Sequence, residues 1–119
     1  MSDETLHTLN RHWATGEFIT VRRGTKYEDK EGTIFNLCEC WGDDHGVVGQ
    51  AVATGTKVYE LGEIPARILE THYNAHCRIY SGLMKALQTA YGEDAVDDWT
   101  EVTVLSLSTL APPNEGSEG

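Results

Sequence analysis

Residues 15–37, TGEFITVRRGTKYEDKEGTIFNL, decide how the rest of the chain is read. Phe18 to Val21 is a short β-branched and aromatic run bounded by Gly16 and Gly24, the pattern of a strand between turns. Arg22, Arg23, Lys26 and Lys30 follow at once, four of the nine Lys and Arg gathered in nine consecutive positions. From Thr33 to Cys40 the chain alternates, with Ile34, Asn36, Cys38 and Cys40 on one face and Phe35, Leu37, Glu39 and Trp41 on the other. That is the period-two signature of a second strand. The chain carries nineteen Asp and Glu and a formal net charge of −10. A basic loop between two strands of so acidic a protein predicts a local anion site rather than a generally cationic surface.

Outward from this stretch, Leu6, Leu9 and Trp13 have helical spacing and predict a short helix before the first strand. Gly42-Asp43-Asp44-His45-Gly46 is a turn cluster. Val47 to Ala53 and Lys57 to Leu61 read as two further short strands around Gly55. Ile64 opens a helix, with Pro65 suited to its first turn, where a missing amide hydrogen costs nothing. A longer helix is expected from about Arg78, carrying Ile79, Leu83, Ala86, Leu87 and Ala90 as one apolar stripe. Gly92 fits its left-handed C-cap. Glu101 to Leu107 reads as a buried closing strand. The whole predicts an α+β fold, a small β-barrel of about five to six short strands with two helices packed at one opening. Residues 1–110 form a single domain on this reading, and 111–119, rich in Pro, Gly, Ser and Glu, form a disordered acidic tail.

Length and composition narrow the function classes. A chain of 119 residues suits one domain with its own core. No apolar run approaches the ~20 residues that cross a bilayer, and the start MSDETLHTLN has no apolar signal region, so no membrane partner and a cytoplasmic location are expected. Cys38, Cys40 and Cys77 are an odd count and read as free thiols. The acidity weighs against broad DNA coating, which needs many cations to displace counterions. It leaves room for a focused nucleotide or single-stranded RNA site.

Four segments in this order and spacing resemble the ASCH domain family, whose fold is a β-barrel related to the PUA RNA-binding domains. They are Gly16 followed by Thr20-Val21-Arg22; the basic turn Arg23 to Gly32; Val48-Gly49-Gln50-Ala51 with Leu61-Gly62-Glu63-Ile64-Pro65; and Tyr91, Asp97-Asp98 and Val102-Thr103-Val104. Together they span about residues 13–108. The resemblance implies a PUA-like barrel and an RNA-related role. One branch of the family, the small acetylcytidine amidohydrolases, uses a Lys, Thr and Glu constellation. Here the Thr is Thr20, the Lys position falls on Glu17 or Phe18, and the Glu position falls near His76. With two of the three groups absent, the resemblance does not carry that chemistry across.

The candidate ligand-binding residues are Thr20, Arg22, Lys26, Tyr27, His72, His76 and Arg78. Arg22 and Arg23 are adjacent and point to opposite faces of a strand, and the family pattern selects Arg22, on the face of Thr20. A guanidinium there can hold a phosphate bidentately or stack on a base; the competing reading is a structural salt bridge to one of the many acids. Thr20 and Lys26 would reach phosphate or sugar. His76 would serve as a general base or a base-contacting group. Tyr27, Trp41, Tyr73 and Tyr80 are the aromatics expected near the cleft, where one of them would stack a nucleobase. Cys38, Cys40, His76 and Cys77 would supply four soft donors, but their spacing departs from zinc-knuckle patterns, and no metal or other cofactor is read from the sequence. Asp94, Asp97 and Asp98 read as a solvated turn.

The functional reading is a module that binds RNA, a nucleotide or a modified nucleoside in a cleft between barrel and helices. Two alternatives stand beside it. One is a hydrolase of acylated nucleoside or RNA with a rearranged site built on Thr20 and His76. The other is an acidic protein-interaction module.

Overall fold

The computed structural model describes residues 4–9 and 11–110; the tail expected over 111–119 lies outside them. Five strands form one mixed sheet in the order β1-β3-β4-β5-β2. These are β1 (Glu4–Leu9), β2 (Glu17–Arg23), β3 (Ile34–Trp41), β4 (Asp44–Glu60) and β5 (Glu101–Leu110). Helix α1 (Ala66–Leu69) is a single turn and α2 (Tyr80–Tyr91) has three. The α+β class, the strands β2, β3 and β5 and the presence of two helices agree with the sequence reading, but α2 starts at Tyr80 and Ile79, expected on its apolar stripe, is an exposed extended residue before it. No described helix is long and apolar enough to cross a membrane.

Three expectations are corrected. The first segment is a strand, not a helix: Leu6 and Thr8 are buried while His7 and Leu9 are exposed, and β1 pairs in parallel with β3, Leu6 opposite Leu37. Period two therefore beats the weaker three-residue spacing, because β1 gains a partner strand and a core for one face. The two strands expected on either side of Gly55 are one strand of 17 residues. Its register shifts opposite Leu37/Cys38 and again at Ala53/Gly55, so Val48 and Thr54 are the extra residues of two bulges, and bulges bend a long strand instead of ending it. The pairing, finally, does not close into a barrel, since β1 and β2 are the two edges of the order.

The edge of β2 is nonetheless covered. Ile19 N–H donates to Thr71 O at 3.0 Å and Ile19 O accepts from Tyr73 N–H at 3.1 Å, a parallel bridge centred on His72. That short segment satisfies edge groups that would otherwise face solvent or another chain. The hairpin between β3 and β4 needs only Gly42-Asp43, with Gly42 at φ +61°, so the turn is shorter than the five-residue cluster suggested.

Each face of the sheet packs its own core. Ile19, Val21, Val102 and Val104 meet Leu61, Leu69, Leu83 and Leu87 on the helix side. Phe18, Phe35, Leu37, Leu105 and Leu107 pack with Leu6 and Trp13 on the other. Alternation along β2 thus sends Ile19 and Val21 to the helices and Phe18 and Thr20 away from them. Helix α2 ends at Gly92, whose N–H donates to Gln88 O at 2.8 Å. Gly92 has the expected positive φ of +107° but an extended ψ of 142°, so the cap is not the left-handed helical one.

Candidate functional site: an arginine without an acceptor

Arg22 continues the face of Phe18 and Thr20, away from the helices. Its guanidinium carbon lies 5.6 Å from the centre of the Trp13 ring. The atoms Nε and Nη2 are buried and, among the described residues, have no hydrogen-bond partner. Among the described residues Arg22 forms no ion pair; Lys30 pairs with Glu4, and His12 is hydrogen-bonded to Glu39. The structural salt bridge that competed with a ligand role is therefore absent. Buried guanidinium donors are costly to leave unmade, and among the described residues no acid pairs with this one. Arg23 points to the other face and donates Nε–H to Ala95 O at 3.0 Å, as alternation required.

Around Arg22 the aromatics are held in place. Trp13 donates its indole N–H to Cys38 O at 3.0 Å, and its backbone N–H to Glu39 Oε2 at 2.9 Å. Tyr73 packs on Trp13 with ring centres 4.4 Å apart, and its hydroxyl shares a 2.7 Å hydrogen bond with Thr8 of β1. His72 stacks on Tyr73 at 4.9 Å. Its Nδ1 accepts from Asn74 N–H at 3.0 Å, which leaves Nε2 to carry the proton of the neutral ring. Burial first, then the charges of Arg22 and Arg78, push the His72 pKa from its ordinary 6.5 down to about 3. Arg78 donates Nε–H to His72 O at 2.9 Å. Arg11 adds a third positive charge, close enough to act on both Tyr73 and Cys77. The cluster is rich in donors, and among the described residues the carboxylate bonded to it is that of Glu39, which accepts from the Trp13 backbone N–H and not from Arg22; the guanidinium therefore suits an anion or an acceptor-rich base edge.

The neutral His72 has a consequence for stability. The unfolded imidazole gains a proton near pH 6.5 and the folded one only near 3, so between these values the unfolded state binds more protons and folding weakens as pH falls. The cost approaches about 1.4 kcal/mol per pH unit. Wild-type protein is expected to lose about 2 kcal/mol more than His72→Gln between pH 7 and 5, read from urea midpoints at the two values. Parallel losses in the two proteins would show that another group governs the acid limb.

The other sequence candidates are distributed as follows. Thr20 is buried at 2% exposure on the Arg22 face. Lys26 lies 5.1 Å over the Tyr27 ring, and Tyr27 packs edge-on to Phe35 at 6.0 Å. His76 is exposed, and its backbone N–H bonds Asn74 Oδ1 at 3.0 Å; no described contact joins its ring to Thr20 or Arg22. Of the aromatics, Tyr73 is at the cluster. Trp41 instead packs on His12 at 5.0 Å, and Tyr80 bonds Asp98. Cys77 sits in the helix-side core, apart from Cys38 and Cys40, so the four-donor set considered from sequence is not assembled. Arg11 and Trp13 were missed because their loop has no pattern of its own and reaches the cluster only through folding.

An open groove does lie between α1 and the sheet, about 500 Å³ in volume, with Ile19, Lys57, Tyr59, Arg67, Ile68 and Thr71 in its lining. None of Thr20, Arg22, Lys26, Tyr27, His72, His76 and Arg78 lines it. A second concavity of about 340 Å³ is acidic, with Glu60, Glu63 and Asp98 in its wall. The unsatisfied chemistry is at Arg22, in neither of these.

No protein-family model matches the chain, and no solved structure matches it. A queuine tRNA-ribosyltransferase of Mannheimia succiniciproducens is 28% identical to it over 112 residues. The match covers 92% of this chain but spans 27% of the relative's length, a partial likeness to a tRNA-modifying enzyme.

Proposed function

We propose that the chain is an ASCH-type module that binds RNA or a modified nucleoside through the Arg22 cluster. The observation that carries this reading is the half-buried Arg22, whose buried Nε and Nη2 lack an acceptor among the described residues beside Trp13. A phosphate or a base carbonyl would supply the missing acceptor, and Trp13 or Tyr73 offers a face for stacking. Arg11 and Arg78 would add electrostatic attraction, and the neutral His72 a further donor. Thr20 lies on the same face, whereas Lys26, Tyr27 and His76 would contribute only at the periphery of a longer ligand. The partial likeness to a tRNA-modifying enzyme supports an RNA-related role for this segment.

The test is titration of the full chain with short single-stranded RNA and with tRNA at two salt concentrations. Arg22→Ala is expected to weaken binding at least about tenfold, in line with loss of a charged hydrogen-bonded pair, and Arg23→Ala to leave it within about twofold. The salt slope should be shallow, because few phosphates are engaged. Equal losses in the two variants would point to a diffuse basic loop and overturn the site.

A further inference from the structure

A second cluster, on β1 and β3, takes no part in the Arg22 site. His7, Cys38 and Cys40 each offer a ligand atom, and the three atoms lie within 4.8 Å of one another. His7 stands opposite Cys38 in the parallel pairing of β1 with β3. The two cysteines alternate with Leu37 and Glu39, so both project from the sheet face opposite Phe35 and Leu37. Both are free and buried, and His7 is exposed.

One edge of the set matches a tetrahedral ion, and the others lie within 4.8 Å. Zinc–sulfur and zinc–nitrogen bonds of about 2.3 and 2.05 Å imply ligand separations of about 3.6 Å for S···N and 3.8 Å for S···S. The Cys40 Sγ to His7 Nδ1 distance is 3.5 Å, one edge of such a tetrahedron. A fourth donor is on the same face. His45 stands directly opposite Cys40 in the antiparallel pairing of β3 with β4, and paired residues project to the same side at Cβ separations of about 5 Å. The ring is exposed and lies outside the three-atom group, so its side chain would have to turn toward Cys40 to complete the set.

We propose that His7, Cys38, Cys40 and His45 form a Cys2His2 zinc site that ties β1, β3 and β4 together across the sheet. The ligand set spans three strands, so a bound ion would fasten the edge strand β1 to its only neighbour and to the strand beyond. Binding expels the two thiol protons, leaving a neutral zinc bis-thiolate bis-imidazole centre. A disulfide between Cys38 and Cys40 is the poorer use of these thiols, because residues two apart on an extended strand place their Cβ atoms beyond disulfide reach.

The test uses the full chain, stripped with a chelator and kept reduced with a phosphine, then titrated with Co2+ and back-titrated with Zn2+. One equivalent of Co2+ should give the intense visible bands of a tetrahedral thiolate centre, and Zn2+ should displace it. Cys38→Ser and Cys40→Ser should lose at least about a hundredfold in affinity, more than the loss typical of residues that only orient ligands. His7→Ala and His45→Ala change exposed residues and serve where a serine variant does not fold. Each should weaken binding by about tenfold or more and shift the cobalt bands. Cys77→Ser, on the helix side, should bind as the wild type does. Absence of tetrahedral bands, or bands retained in both histidine variants, would overturn the site. Bands lost in Cys77→Ser alone would overturn it as well.

Discussion

Gly82→Ala is expected to destabilise the protein by about 4 kcal/mol or more, reversing the usual sign for a helical glycine. Gly82 lies in the first turn of α2, where alanine ordinarily gains up to about 1 kcal/mol over glycine. Here a Cβ would stand 1.7 Å from the carbonyl oxygen of His76 and 2.9 Å from its carbonyl carbon. Both are backbone atoms, so no side chain can swing away; the 75–78 turn would have to lift off the helix. That turn buries Cys77 and leads back to His72 and Tyr73, so the damage should reach the Arg22 cluster as well. Urea denaturation and RNA titration of one variant check both consequences. A Gly82→Ala protein as stable as the wild type would mean that the turn does not approach the helix this closely.

The second large effect separates binding from stability. Arg22→Met is expected to lower RNA affinity at least about tenfold while leaving the fold unchanged or raising its stability by about 1 kcal/mol. Removing a guanidinium with two buried, unpartnered nitrogens relieves a desolvation cost. Methionine keeps most of the apolar stem against Trp13. The lost cation–π contact, at 5.6 Å, opposes this by about 0.5–1 kcal/mol, which keeps the net gain small. A residue retained for structure would behave in the opposite way, with stability falling and affinity unchanged. Thermal unfolding measured beside the RNA titration therefore distinguishes the two roles.

Much of the strand pattern was legible because it is local. Phe18 to Val21, the alternation of Phe35 and Leu37 with their polar neighbours, and the closing run from Glu101 each declare one buried face. Leu6 was misread because three apolar residues at spacings of three and four fit a helix until β3 provides a parallel partner. The length of β4 was hidden by the 42–46 turn cluster, which covers its first residues, and by Gly55, which marks a bulge as readily as a strand end. At the site, alternation separated Arg22 from Arg23, and the family resemblance selected Arg22, on the face of Thr20. Trp13, Arg11 and His45 were not, since each becomes meaningful only by what the fold sets against it. His72 was among the candidates, but its neutrality depends on burial and on Arg22 and Arg78, a property of the assembled cluster.

The pairing of β2 with β5 sets the timing of assembly on the ribosome. Glu17 pairs with Ser108 and Arg23 with Val102, and Gly16 N–H donates to Thr109 Oγ1 across a sequence separation of 93 residues. β5 lies between β4 and β2 in the sheet, yet it is synthesised after every other described strand. The β3–β4 hairpin can form as soon as it emerges, whereas β2 must wait with Phe18, Ile19 and Val21 unsheltered until residues near 110 appear. Non-local pairing of this kind slows folding and leaves nascent apolar strands open to association. Nascent chains halted before β5 should accordingly be the most dependent on chaperones, and release of the last strand should be the committed step of folding.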